Sequence, residues 1–193
     1  FVGYSTGEVL YMIALKIFIL FAVAAFWGSI LWNLHKRGGF WAEWPISSEL
    51  SGRYDNPVDM AFVVTGLALA ATPFAFGYGL RSGWAIVPDL VMFASGAAVI
   101  GTMLTRRVWP EERAHLTMAG IAFAGTAVGL ASMFAAMHDW VLMALAIAAI
   151  IPAAIALAAN LKPLHEWMAK FSRVEWLTAA LEMACLVGAV VFA

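Results

Sequence analysis

The sequence predicts an all-α, polytopic membrane protein: a six-helix transmembrane bundle of three antiparallel hairpins, forming one domain over residues 1–193. Three observations predict it. Composition is the first: 64% of residues are hydrophobic and 12% charged, where a soluble domain carries about a quarter charged residues. Span length is the second: six apolar stretches reach about 20 residues, the length that crosses a hydrocarbon core of ~30 Å. Charge placement is the third. Of the 11 Lys and Arg residues, Lys36, Arg37, Arg53, Arg106, Arg107, Arg113, Lys162, Lys170 and Arg173 fall in the first, third and fifth connections. Arg81 stands alone on the other face, and Lys16 lies within the first span. Such a bias marks the cytoplasmic side. It places both termini on the non-cytoplasmic side of a membrane, expected to be a bacterial inner membrane. Helices are favoured over a barrel because unpaired backbone amides are costly in lipid. The stretches 58–80 and 140–160 also lack period-2 alternation.

The spans follow in order. Span one, 9–34, is too long for a signal peptide, and Glu8 rather than a basic segment precedes it. The chain opens at Phe1, and a segment processed from ahead of it would alter this topology. The connection 35–57 is rich in Trp, Pro and charge and reads as an ordered interfacial segment. Span two, 58–80, carries Pro73, which can kink it. A four-residue turn, 81–84, leads to span three, 85–105. The connection 106–113 leads to span four, 114–137, which contains Gly125 and Gly129 in a GxxxG spacing that lets another backbone approach. That spacing fits packing inside the monomer or a homo-oligomer seam. The pair His138-Asp139 turns the chain into span five, 140–160, which carries Pro152. The connection 161–173 precedes span six, 174–193. Trp32, Trp41, Trp44, Trp109, Trp167 and Trp176 fit an aromatic belt at one interface and Trp84 and Trp140 the other, with Trp27 deeper.

Some function classes recede at once. A net charge of −1 offers nothing to nucleic acid, and a single cysteine, Cys185, excludes an internal disulfide or a CxxC pair. Haem or pigment binding is disfavoured. No histidine lies well inside a span, and His115 and His138 stand ~34 Å apart along span four.

Two groups of residues could carry chemistry. Lys16, Asp89 and Glu182 are ionisable residues inside spans, where a charge needs a partner, a cavity or neutralisation. Lys16 and Asp89 fall at depths similar enough to pair. Glu182 lies near mid-membrane, where a protonated or hydrogen-bonded acid is expected. The second group gathers at the cytoplasmic mouth: His35, Ser47, Ser48, Glu49, Asp55 and Asp59, then Glu111, Glu112 and His115, then His165 and Glu166. Histidines and carboxylates converging there could bind a divalent metal through His115 and His165 and activate water. With Arg106, Arg107 and Lys170 they could instead hold a lipid headgroup, or they could simply be a solvated face.

The residues 45–53 (PISSELSGR), then Asn56-Pro57, Ala61-Phe62 and Thr65-Gly66-Leu67, resemble the bacterial six-helix DUF-nine-nine-eight family, itself distantly similar to the Frag/DRAM/Sfk membrane proteins. His115 after Trp109-Pro110 matches the family's histidine at the opening of the fourth helix. The resemblance implies a six-helix bundle and a lipid-related role. One departure is that the charge count places 47–53 inside, opposite to the family's arrangement of that loop.

The leading expectation is a lipid-interacting or lipid-modifying protein. Its polar site would be the cytoplasmic mouth, with His115 as base or ligand supported by Glu111, Glu112, Glu49 and His165. The alternatives are a non-catalytic accessory subunit among other membrane subunits and a small-solute or proton transporter built on Lys16, Asp89 and Glu182.

Overall fold

A computed structural model of the protein describes residues 4–36, 46, 50, 56–77, 86–108, 112–159 and 168–192. Among these residues it is all-helical, with α1 Thr6–Lys36, α2 Pro57–Ala75, α3 Val87–Val108, α4 Glu112–Ala136, α5 Trp140–Ala159 and α6 Met168–Phe192. Among the described residues, five helices are long and apolar enough to cross a membrane, and in α5 the described apolar stretch is shorter, Trp140–Pro152.

Local chemistry sets the ends. Ser5 and Glu8 form a reciprocal cap on α1: the Ser5 amide donates to Glu8 Oε2 at 2.7 Å, and the Glu8 amide to Ser5 Oγ at 3.3 Å. Asn56 caps α2 by accepting from the Val58 amide at 3.1 Å, with Pro57 in the first turn. The α4–α5 turn uses His138 at φ 58°. Asp139 Oδ1 then accepts from the Leu142 amide at 3.0 Å and opens α5.

Three boundaries depart from the sequence reading. Helix α2 stops at Ala75 rather than near residue 80, because Gly77 adopts φ 70°, the left-handed conformation that ends helices. Helix α3 continues through Arg106 and Arg107 to Val108, three residues into the expected connection 106–113. It ends where Trp109 precedes Pro110, a position that disfavours helical backbone. Helix α6 starts at Met168, six residues before the expected start. Met168, Ala169 and Lys170 are good helix formers, so the single charge on Lys170 does not mark a boundary.

Each helix packs on the next in the chain, and α6 touches both α1 and α4. The tightest approach is between α2 and α3. A Cβ placed on Gly66 would come within 2.5 Å of the Gly96 carbonyl oxygen, and one on Gly96 would strike the Gly66 carbonyl oxygen. Gly125 and Gly129 face α3, where added methyls would meet the Ser95 side chain and Met92 Sδ. Ile46 and Leu50, from the first long connection, join the same buried core as α1 to α6. Helix α1 contributes only Ile19, Ala22, Phe26 and Ile30 as buried positions. Most of its remaining surface is apolar and exposed.

Candidate functional site

The polar centre lies between the helices. Glu175 and Glu182 are seven residues apart on α6, two helical turns, and so share one face about 10 Å apart along the axis. Both are almost fully buried, at 1% and 3% exposure. They line a cavity of about 30 Å³ together with Thr65 of α2, Thr102 of α3 and Thr126 of α4. Phe26 of α1, Phe62 and Leu69 of α2, Val99 of α3 and Phe123 of α4 supply much of the apolar wall. Among the described residues, five helices build the cavity.

An aromatic cluster borders the Glu175 end. Phe26 stands 5.4 Å from both Trp27 and Phe62, and Trp27 stacks at 5.7 Å on Trp176, the neighbour of Glu175. The sequence reading separated Trp27 from an interfacial Trp176. The structure puts the two rings at one level, both partly buried against the core.

His115 is 1% exposed and sits one helical turn from Ala119 on the face of α4 that lines the cavity. Its Nδ1 is 3.0 Å from the Thr102 carbonyl oxygen and 3.4 Å from Thr105 Oγ1. A carbonyl only accepts, so Nδ1 carries the proton and Nε2 of the neutral ring keeps its lone pair. Nε2 is buried without a hydrogen-bond partner among the described residues. Thr102 thus joins two places: its carbonyl holds His115, and its side chain lines the cavity.

Most threonine hydroxyls near the site are satisfied within their own helices. Thr72 donates to the Ala68 carbonyl, Thr102 to Ala98 and Thr178 to Val174, each at 2.8 Å. Thr65 Oγ1 and Glu182 Oε1 are different. Both atoms are buried without a hydrogen-bond partner among the described residues.

The expected mouth cluster is not assembled within the described residues. Glu49, Glu111 and His165 lie outside them, and Glu112 is placed only as backbone in the first turn of α4. His115 is turned into the bundle, against α3. Among the described residues, no three His, Cys, Asp or Glu side chains stand close enough to share a metal ion. Of the residues expected inside spans, Lys16 sets its ammonium 5.0 Å from the Phe76 ring centroid, and Asp89 is buried in the first turn of α3. Cys185 is buried on α6. Asp59, assigned by sequence to the mouth, is fully buried in the first turn of α2.

Glu175 is not among the site residues that the sequence predicts. Its seven-residue spacing from Glu182 was the signal. Thr65, Thr102 and Thr126 carry no comparable signal, since single threonines are common in apolar helices.

Comparison with protein-family models, curated proteins and solved structures gives no match to this chain.

Proposed function

We propose that this chain is a proton-handling membrane protein in which Glu175 and Glu182 bind and pass protons within the bilayer. The observation that carries the reading is the placement of two buried acids on one face of α6, both lining a cavity with threonine side chains. Ionisable side chains at such depth are expensive and mark proton or ion pathways. The cavity suits so small a cargo: at about 30 Å³ it admits roughly two waters, each needing about 10–15 Å³, and excludes organic solutes.

The polar groups cluster toward the ends where α4 and α6 begin. His115 and Glu175 lie there, and Glu182 is deeper. Beyond Glu182, the buried positions of α6 are Met183, Cys185, Leu186 and Ala189. Protons would therefore reach Glu182 from the end that carries the basic connections.

The test is proton flux in proteoliposomes under an imposed potential. Glu182→Gln is expected to lower flux at least tenfold with helicity and monodispersity retained, and Glu175→Gln to lower it less. Wild-type protein that moves no protons, or a Glu182→Gln variant with unchanged flux, defeats the reading.

A lipid-interacting role draws on a separate feature. A groove of about 550 Å³ runs between α1 and α2, lined by Phe21, Ala25, Gly28, Trp32, Met60 and Val64 among others. Its apolar lining suits an acyl chain. Nothing lies within 4 Å of a Cβ placed on Gly28, which makes Gly28→Phe the variant to place bulk in the groove. Loss of co-purifying lipid in that variant by native mass spectrometry supports the role, and unchanged lipid counts against it.

A further inference from the structure

Thr65 Oγ1 and Glu182 Oε1 belong to different helices, line the same cavity and lack a hydrogen-bond partner among the described residues. Thr65 is 3% exposed, as is Glu182. A buried hydroxyl or carboxyl oxygen left without a bond is costly, and folded proteins usually meet that need with ordered water. Neighbouring threonines show what Thr65 forgoes. Thr72, on the same helix, gives its proton to the carbonyl four residues back. Thr65 makes no such bond among the described residues, so its O–H is available to the cavity.

We infer that the cavity holds one or two ordered waters that join Thr65 of α2 to Glu182 of α6, and that Thr65 positions the Glu182 proton through them. The volume admits about two waters. A buried water makes two to four hydrogen bonds, and Thr65, Glu182 and Thr126 bring three polar side chains to the cavity. Thr102 and Glu175 line the cavity as well, and the rest of the wall is Phe, Leu, Val, Ala and Met. Thr65 is a positioning residue here, not a proton carrier. The inference rests on the reading of the α6 carboxyls as the working groups, but its test reads hydration rather than flux.

The experiment is infrared spectroscopy of the protein in liposomes, with H2¹⁶O exchanged for H2¹⁸O. The Glu182 carboxyl stretch is identified by its loss in Glu182→Gln. Wild-type protein should show a weakly bonded water O–H band that moves on isotope exchange. Thr65→Val, which keeps the shape and removes the hydroxyl, should abolish that band and shift the Glu182 stretch to higher frequency; Thr65→Ser should restore both. The inference is overturned if wild type shows no isotope-sensitive band, a result that needs no variant. It is also overturned if Thr65→Val leaves both bands in place, or if the carboxyl stretch follows sodium or potassium concentration and ignores the isotope. A silent flux assay beside the expected infrared result would remove the transport reading and leave the hydrated site standing.

Discussion

At the scale of single residues, His115 separates a structural from a chemical use of one side chain. Its Nδ1–H donates across a helix interface to the Thr102 carbonyl at 3.0 Å, and such bonds in membrane proteins are worth about 0.6 to 1.7 kcal/mol. His115→Asn keeps a donor near the Nδ1 position, and His115→Leu removes it while preserving bulk. Thermal unfolding in detergent should therefore rank wild type above Asn and Asn above Leu, with Leu lower by about 1–2 kcal/mol. Equal stability of the Asn and Leu variants would show that the Thr102 contact contributes nothing. The sequence marks His115 by its position at the opening of α4, and the structure gives it Thr102 and Thr105 as neighbours. Its partners were not legible. Thr102 and Thr105 are thirteen and ten residues away on another helix, and their meeting depends on how α3 and α4 are rotated against each other. Glu175 was legible in principle, because two acids seven apart must share a helix face, whereas the contribution of Thr65 appears only when five helices close around it.

At the scale of elements, glycine governs how near the helices come. Gly66 and Gly96 let the backbones of α2 and α3 touch: an added Cβ on either meets the carbonyl oxygen of the other. Backbone cannot move aside as a flexible side chain can, so Gly96→Ala is expected to cost about 1–3 kcal/mol through overpacking. Gly28→Ala faces open space and should be neutral or stabilising by up to about 1 kcal/mol through helix propensity. Unfolding of both variants in SDS titrations checks the contrast, and equal effects would mean that the α2–α3 approach is looser than the structure has it. The glycines singled out by the GxxxG spacing, Gly125 and Gly129, face α3. The closer pair, Gly66 and Gly96, has no such spacing, since its motif is split between two helices. Helix existence was readable from hydropathy alone, but helix ends were not. Arg106, Arg107 and Lys170 read as connection because they are charged, yet charge does not stop a helix that extends past the apolar layer. Pro110 and the left-handed Gly77 do.

For the whole molecule, the arrangement of charge and the arrangement of helices make one joint prediction. Six helices in sequence return the chain to the side from which it starts when all six cross, and residues before α1 and at the end of α6 then share a face. Helix α5, Trp140–Ala159, is 20 residues long and apolar throughout, with Pro152 inside it, a length that suits a crossing. Lys36 and Arg106 lie at or near the C-terminal ends of α1 and α3, where basic residues also complement the helix dipole. This is the face that the Lys and Arg count assigns to the cytoplasm. Single cysteines placed in a Cys185→Ala background report the sides directly. Ser5→Cys and Phe192→Cys are exposed positions and should react with a membrane-impermeant maleimide added to intact spheroplasts. Asn56→Cys, which precedes α2, should react only after the membrane is opened. If Ser5→Cys and Phe192→Cys label from opposite sides, one helix does not cross. If Phe192→Cys is then the one that labels only after the membrane is opened, α6 is inverted, and the direction of proton access to Glu182 reverses with it.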